Sequence, residues 1–385
     1  MKWEFVGFPR RRICMLMVTH ACNLNCSYCY ESHKQNSYMA LDMAKNIITK
    51  EAQFVDDSDD FEELEIDFMG GEPFMNFPLI KAVVEWLEND AISVPWVCFV
   101  STNATLLTEG IQQWLRLHKN SIVVGASYDG SSKMQLTNRG TENYNIDLSF
   151  FHDLWPMEAL HMTISKETLP LLAEGVLDIQ SKGYKVEAIL AQGVDWTVAD
   201  AVKYRKQLRI LKNAYLKNKN LVPISRLSRL INVYNIENEK ISQEKYCGSG
   251  KGMVAYDIDG KKYGCHMFTP LVLGKNNALE SDKIDWKSPE TMIDDYCKNC
   301  VLRRFCPTCI GFNYRYRDSL SCRDKRWCPM ILAEAISACE FQIEYISTMD
   351  KLDDQDAQHG QFAVQAYKIL KHFDLEKDKS PYVIE

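Results

Sequence analysis

Three cysteines stand within eight residues of one another near the start of this 385-residue chain: Cys22, Cys26 and Cys29, separated by three and two residues. Thiolates so close in sequence can converge on one site when the backbone loops around it. A structural zinc site normally has four ligands, and the two-plus-two spacing of a zinc finger is absent here. Three cysteines suit a 4Fe–4S cluster whose fourth iron is open to another ligand; a zinc site with a distant fourth ligand is the alternative. A second block holds Cys247, Cys265, Cys297, Cys300, Cys306, Cys309, Cys322 and Cys328, and no cysteine falls between Cys98 and Cys247. Eight thiols are what two fully ligated 4Fe–4S clusters require, two zinc sites being the alternative. Disulfide frameworks belong to short secreted domains, so stapling does not explain 14 cysteines here. Cys14, Cys98 and Cys339 lie in apolar or helical segments and read as packing residues.

The elements that must position these thiols can be read from periodicity. Arg12–Val18, directly before the first knot, is a short apolar run expected to be a buried strand. Beyond it strand and helix alternate: helix Leu41–Phe54, strand Leu64–Phe68, helix Leu79–Leu87, strand Val97–Thr102, helix Glu109–Leu117, strand Ile122–Ser127, helix Asp147–Leu154, strand His161–Ile164, helix Leu169–Ser181 and strand Lys185–Ala191. Each parallel crossover needs a helix, so the fold class is α/β with a parallel sheet. Six repeats suit a partial, TIM-like (β/α)6 barrel with its chemistry at the C-terminal ends of the strands. Thr197 followed by Asp200 resembles a helix N-cap with an acidic first turn, opening a basic helix to about Lys217. Leu221–Lys245 reads as a polar linker. Tyr246–Met330 is rich in Cys, Gly and Arg and short of periodic segments, as expected where metal replaces a large core. Ile331–Met349 and Gln361–Phe373 read as closing helices, with the acidic Asp353–Asp356 as a solvated face. The expected division is residues 1–196 as core domain, 197–245 as helical bridge, 246–330 as cluster-bearing domain and 331–385 as C-terminal helices.

Composition narrows the partners. Hydrophobic residues at 46% and charged residues at 25% are those of a globular protein. A net charge of −7 argues against a broad phosphate-binding surface, and so against nucleic acid. No apolar run reaches the length of a membrane span, and the N-terminus lacks a secretory signal, so a cytoplasmic location is expected.

The loop CNLNCSYCY, with Tyr28 just before its last cysteine, resembles the signature of radical S-adenosylmethionine (SAM) enzymes. Gly70-Gly71-Glu72-Pro73 after the second strand is similar to the GGEP motif of that superfamily. Ser101–Leu106, containing Asn103, looks like its TNGT segment with Ala104 where Gly is usual. Ser127-Tyr128-Asp129-Gly130 is similar to SLDG, with Arg139 downstream; the usual histidine–aspartate lead-in is replaced by Gln135–Asn138. The resemblance covers residues 12–195. It implies that the open iron chelates the methionine end of SAM and that one electron splits the sulfonium to give a 5′-deoxyadenosyl radical, which takes a substrate hydrogen. It further implies that Gly70 and Gly71 approach the methionine amino group, that Glu72 accepts from SAM or borders it, and that Ser127 and Arg139 meet the ribose and the methionine carboxylate.

The second block, beginning C-x12-G-x4-C at Cys247, Gly260 and Cys265, resembles the SPASM auxiliary-cluster domain of radical SAM enzymes that modify peptides and proteins. Cys306-Pro-Thr-Cys309 has two intervening residues where that family has three, and Cys322 is additional to its seven-cysteine pattern. The resemblance implies that Cys247, Cys265 and Cys309 hold one auxiliary cluster, with Cys322 as fourth ligand or an open iron in its place. Cys297, Cys300, Cys306 and Cys328 would hold the other. His266 follows Cys265 where the related anaerobic sulfatase maturases have an Asp assigned a catalytic role. It is a candidate base, with a packed or solvated histidine as the alternative. Phe312–Arg317, aromatic and basic, is expected to shield a cluster. The reading is a peptide maturase of three 4Fe–4S clusters that cross-links a ribosomally made precursor, thioether formation being favoured. It would draw electrons from a flavodoxin or ferredoxin type of donor. Only 21 residues precede Cys22, so a leader-recognition domain is not expected to be fused there, and leader binding would need a separate leader-binding protein or the barrel's own surface. The alternatives are a sulfatase-type maturase and a non-catalytic Fe–S or metal-binding protein.

Overall fold

The computed structural model describes residues 10–141, 146–231, 233, 247–286, 292–306 and 309–383. Residues 232 and 234–245 of the expected linker lie outside them. The first half runs β1 (Arg11–Thr19), α1 (Leu41–Asp56), β2 (Glu63–Gly70), α2 (Phe77–Leu87), β3 (Trp96–Thr102), α3 (Glu109–Leu117), β4 (Ile122–Ala126), α4 (Ser132–Arg139), α5 (Leu148–Leu154), β5 (Leu160–Ile164), α6 (Leu172–Ser181) and β6 (Val186–Leu190). The rest comprises α7 (Val198–Lys217), α8 (Ser225–Ser228), the hairpin β7 (Met253–Tyr256) and β8 (Lys262–Tyr263), α9 (Pro270–Leu273), α10 (Lys275–Glu280), α11 (Ile310–Arg317), α12 (Trp327–Ser347) and α13 (Asp354–Leu370).

The strands form the partial barrel that the alternation implies. One sheet has the order β4–β3–β2–β1–β7–β8, and β5 pairs with β6. A parallel bridge between Ser127 and His161 carries the curvature from β4 to β5. Cys14, Leu16 and Val18 of β1 enter one core with Ile47 and Ile48 of α1 and Val83 and Val84 of α2. Strand alternation sends Met15 and Met17 to the opposite, inner face. Every parallel strand therefore delivers its following loop to the same rim.

Two features depart from the expected pattern. β7 pairs in parallel with β1, Ile13 opposite Met253 through Leu16 opposite Tyr256, so the sheet crosses the boundary expected between the core and cluster-bearing segments. α4 occupies residues to which the periodicity assigns no element. Its sequence, SKMQLTNR, is polar and short, and only the left-handed Gly140 that ends it (φ 71°) is a stop signal.

Helices close the structure behind the barrel. α7 carries the expected capping box, Thr197 with Asp200. α12 is buried along nearly its whole length and packs on α7, α8 and α13. Its Glu334 accepts from the Tyr204 hydroxyl at 3.0 Å and pairs with Arg226 and Arg229. Asp353 and Asp356, expected on a solvated face, instead form the capping box of α13, with Asp356 buried. The backbone N–H groups they cap would otherwise be orphaned. Among the described residues no helix is long and apolar enough to cross a membrane.

Glu51 of α1 ties the barrel to the β7–β8 hairpin. It is buried and receives Arg12 Nε at 2.7 Å, Lys262 Nζ at 2.9 Å and the Tyr256 hydroxyl. Burial alone would raise its carboxyl, but these donors outweigh burial and lower it. A lowered folded-state pKa stabilises above the unfolded carboxylate value and is lost as pH falls through the folded one. Glu51→Ala should lower folding stability by about 3 kcal/mol at pH 7 in denaturant titrations, because it strands a buried Arg12. The deficit should shrink below about pH 4; an undiminished deficit there would contradict the ionic role.

Candidate active site

At the rim, β1 and β2 end in direct backbone contact. Gly70 has φ 148°, and a Cβ there would lie 2.3 Å from Thr19 O; a Cβ on Gly71 would lie 2.4 Å from Ala21 O and 2.8 Å from Cys22 Cβ. Only glycine permits that approach. The amide of Glu72 then donates to Ala21 O at 2.8 Å, fastening the GGEP turn to the start of the cysteine loop. Glu72 is buried, and both its oxygens are engaged. Oε1 accepts from the Thr102 hydroxyl at 2.6 Å and from Phe74 N, and Oε2 accepts from Asn103 N at 2.8 Å. It thus locks the ends of β2 and β3 together, while burial, against these bonds, raises its pKa. The Asn103 side chain serves the cysteine loop, donating to Asn23 Oδ1 at 2.9 Å and accepting from Thr105. Ala104 holds φ 61°, the left-handed conformation for which the usual glycine is suited.

Asp129 organises the opposite side of the loop. It is fully buried and receives the Tyr28 hydroxyl at 2.9 Å, Arg139 Nε at 2.9 Å and Nη2 at 3.1 Å, Asn138 Nδ2 and the amide of Thr163. Arg139 is therefore a buried residue and not a solvated one, and its guanidinium also lies 5.8 Å from the Tyr28 ring centroid. Ser127 sits at the end of β4, its amide donating to Thr102 O.

The thiols fall into separate groups. Burial raises Cys22, and pushes Cys26 up to about 11, with Arg139 opposing the shift and Cys29 adding to it. The Lys34 ammonium, against the effect of its burial, is raised by Cys29 and Cys22, so it lies over this group. Cys265 is pushed up to about 12, first by burial and then by the charges of Cys309 and Cys247. Cys309 opens α11, and the amides of Gly311 and Phe312 donate to it, partly offsetting its burial. Cys306 is likewise pushed up to about 12 by burial, then by Cys328, Cys300 and Cys297, with Arg323 opposing. These four line a cavity of about 320 Å³ with Arg323 and Tyr382. Cys322 stands exposed in the turn after α11, its carbonyl accepting from Arg317 Nε at 2.7 Å. Cys14, Cys98 and Cys339 are fully buried in the hydrophobic core.

The donor chemistry fits iron–sulfur clusters: all-thiol sets of three and four, buried or half-buried apart from the exposed Cys247. The grouping is wider than one ion needs, since among the described residues no three His, Cys, Asp or Glu side chains converge to hold a single metal ion. A cubane presents its irons at separate corners and takes more widely spaced thiolates.

Two contacts join the first group to the second. His20 Nε2 meets Asp257 Oδ1 at 2.5 Å with both side chains buried. Tyr30 packs edge-on to Phe312, its hydroxyl lies 3.3 Å from His266 Nε2, and after burial it feels the charges of Glu31, Cys29, Cys265 and Cys309. One tyrosine ring thus spans the gap between Cys29 and Cys265. His266 is half-buried with its Nδ1 3.4 Å from Met15 Sδ, and desolvation lowers its pKa to about 4, so it is neutral at pH 7. Tyr30, Lys34, Asp129 and Arg323 were not singled out from the sequence as site residues. Asp129 had a signal, the Ser127–Gly130 motif itself; Lys34 and Arg323 have none in spacing.

The family described as a 4Fe-4S single cluster domain matches residues 10–147. The radical SAM cyclopropyl synthase TigE of Paramaledivibacter caminithermalis is 23% identical over 360 residues, covering 82% of this chain and 71% of the relative. The chain is thus similar in sequence to a radical SAM enzyme. An uncharacterized protein of Methanocaldococcus jannaschii is 27% identical over 301 residues, covering 76% of this chain and 95% of the relative. The fold is similar to that of AdoMet-bound anSMEcpe, with TM-score 0.63, 17% identity and coverage of 92% and 99% of the two chains. It also resembles SuiB of Streptococcus suis bound to precursor peptide SuiA, with TM-score 0.55, 15% identity and coverage of 83% and 76%.

Gly71→Ala tests the rim contact. The added methyl must push Ala21 and Cys22 away, so SAM cleavage to 5′-deoxyadenosine should fall about a hundredfold, the effect of a displacement of about 1 Å at a reacting centre. Far-ultraviolet circular dichroism should stay unchanged; undiminished cleavage would contradict the assignment of this contact.

Proposed function

We propose that Cys22, Cys26 and Cys29 hold the SAM-cleaving 4Fe–4S cluster and that the chain uses the resulting radical to modify a ribosomally made precursor peptide. In this reading Cys247, Cys265 and Cys309 hold the first auxiliary cluster, and Cys297, Cys300, Cys306 and Cys328 the second. Cys322 in its exposed turn closes the first auxiliary site or yields that place to a substrate thiolate. The observation that carries the reading is the separation of the thiols into three groups, the first at the barrel rim and the second one tyrosine ring away.

When bound and reduced, the first cluster with SAM supplies the 5′-deoxyadenosyl radical that takes a substrate hydrogen. The chain's own residues bind and orient. Gly70 and Gly71 let backbone approach the methionine end of SAM, and Glu72 fixes the strand ends beneath it. Arg139, held by Asp129 and close enough to Cys26 to lower its pKa, meets the methionine carboxylate, while Ser127 meets the ribose. Lys34 and Arg139 balance thiolate charge on either side. Tyr30 and Phe312 keep water from the space between the first and second groups.

A peptide substrate is supported by the likeness to SuiB with its precursor peptide and to anSMEcpe with bound AdoMet and the Cp18Cys peptide. The favoured product is a thioether cross-link, because an exposed fourth position beside Cys247, Cys265 and Cys309 suits a substrate thiolate. An external flavodoxin or ferredoxin type of donor and a separate leader-binding protein complete the scheme. The sulfatase-type reaction is the second reading: fold likeness to anSMEcpe favours it, whereas the neutral, packed His266 stands where those enzymes carry Asp and counts against it.

Anaerobically reconstituted protein should contain about twelve irons. Replacing Cys22, Cys26 and Cys29 together with Ala should remove about four of them and abolish formation of 5′-deoxyadenosine. Cleavage persisting in that variant would overturn the site assignment. Tandem mass spectrometry of a co-expressed precursor then separates the product readings: two joined side chains for the cross-link, an aldehyde for the sulfatase-type reaction.

A further inference from the structure

Arg323 is a buried arginine, 8% exposed, whose guanidinium lies among sulfur atoms. Its Nη2 is 2.6 Å from Cys306 Sγ and 3.5 Å from Cys306 O, and its Nη1 is 3.9 Å from Cys297 Sγ. The position is built in by a shared carboxylate. Asp294 Oδ2 accepts from the Arg323 amide at 2.9 Å, while Asp294 Oδ1 accepts from Tyr296 N at 2.9 Å and caps the turn that carries Cys297. The same guanidinium lines both the four-thiol cavity and a second cavity of about 340 Å³ beside Cys309. Arg323 therefore stands in the wall between the two auxiliary groups, with its contacts to Cys306 and Cys297 made to the second of them.

We propose that Arg323 sets the electron affinity of the Cys297–Cys300–Cys306–Cys328 site, making it easier to reduce than it would otherwise be. The inference rests on the reading that these four thiols hold a 4Fe–4S cluster. With four thiolates such a site carries charge −2 when oxidised and −3 after accepting one electron. A fixed cation within hydrogen-bond reach stabilises −3 more than −2, and hydrogen bonds to cluster sulfurs are a recognised determinant of potential. Arginine does not titrate in proteins, so no proton accompanies the electron. Lysine would keep the charge and lose the planar fork that spans Cys306 and Cys297.

The test is an anaerobic redox titration of the full-length reconstituted protein with dithionite and mediators, followed by electron paramagnetic resonance. Cys306→Ala identifies the spectral component of this site. In Arg323→Gln the same component should become harder to reduce, its reduced-to-oxidised ratio at fixed potential falling about tenfold, which is about 59 mV for one electron. The other components and the iron content should not change, and Arg323→Lys should shift the component less. An unmoved component in fully loaded Arg323→Gln overturns the proposal. If Arg323→Gln does not load, Arg323→Lys decides: a lowered potential supports tuning, whereas a wild-type potential or a second failure to load overturns it in favour of a purely structural role. If Cys306→Ala removes no component, the cluster assignment itself fails, and that outcome is distinct from failure of the role given to Arg323.

Discussion

The site depends on one steric constraint, the contact of main chain with main chain where β1 and β2 end. Thr19 and Ala21 carbonyls lie where side chains on Gly70 and Gly71 would stand. That contact sets the height of the cysteine loop above the barrel and brings Glu72 beneath it. From Glu72 the constraint passes to Thr102 and Asn103, and from Asn103 back to Asn23 inside the loop. The loop is thus fixed at two points by groups that have no freedom to move independently.

Charge supplies the second level of order. Burial disfavours thiolates, and the chain answers with cations placed beside them: Lys34 and Arg139 at the first group, Arg323 at the four-thiol group. Asp129 makes the Arg139 answer geometrically specific by receiving it through two bonds and holding Tyr28 with the same carboxylate. The β7 strand and the pairs Arg12–Glu51 and His20–Asp257 then hold the second half of the chain against the first. This explains how a segment with little periodic structure of its own is placed within one aromatic ring of the barrel rim.

Much of this was legible from sequence because it is local. Cysteine spacing, Gly70-Gly71-Glu72-Pro73 and the strand–helix alternation are written in neighbouring residues. The partial barrel follows from that alternation, and the capping box at Thr197 and Asp200 is also a local signal. What sequence did not disclose depends on long-range placement. α4 is too short and polar for periodicity to reveal it, yet it delivers Arg139. Asp356 reads as an exposed acid until the helix it caps is seen. Lys34 and Arg323 gain their meaning only from sulfur atoms distant in the chain or across a turn. Ala104 departs from the usual glycine, and its left-handed backbone marks the place where this chain accepts a strained residue.

The central claim is that one thiol group, and only one, binds SAM at an iron. Pulsed electron–nuclear resonance on the reduced, reconstituted enzyme, with SAM labelled at the methionine nitrogen and carboxylate, tests it directly. The account predicts hyperfine coupling to the label in a single cluster signal, lost when Cys22, Cys26 and Cys29 are replaced and retained when Cys306 is. Coupling that survives loss of the first three cysteines, or that depends on Cys306, would contradict it.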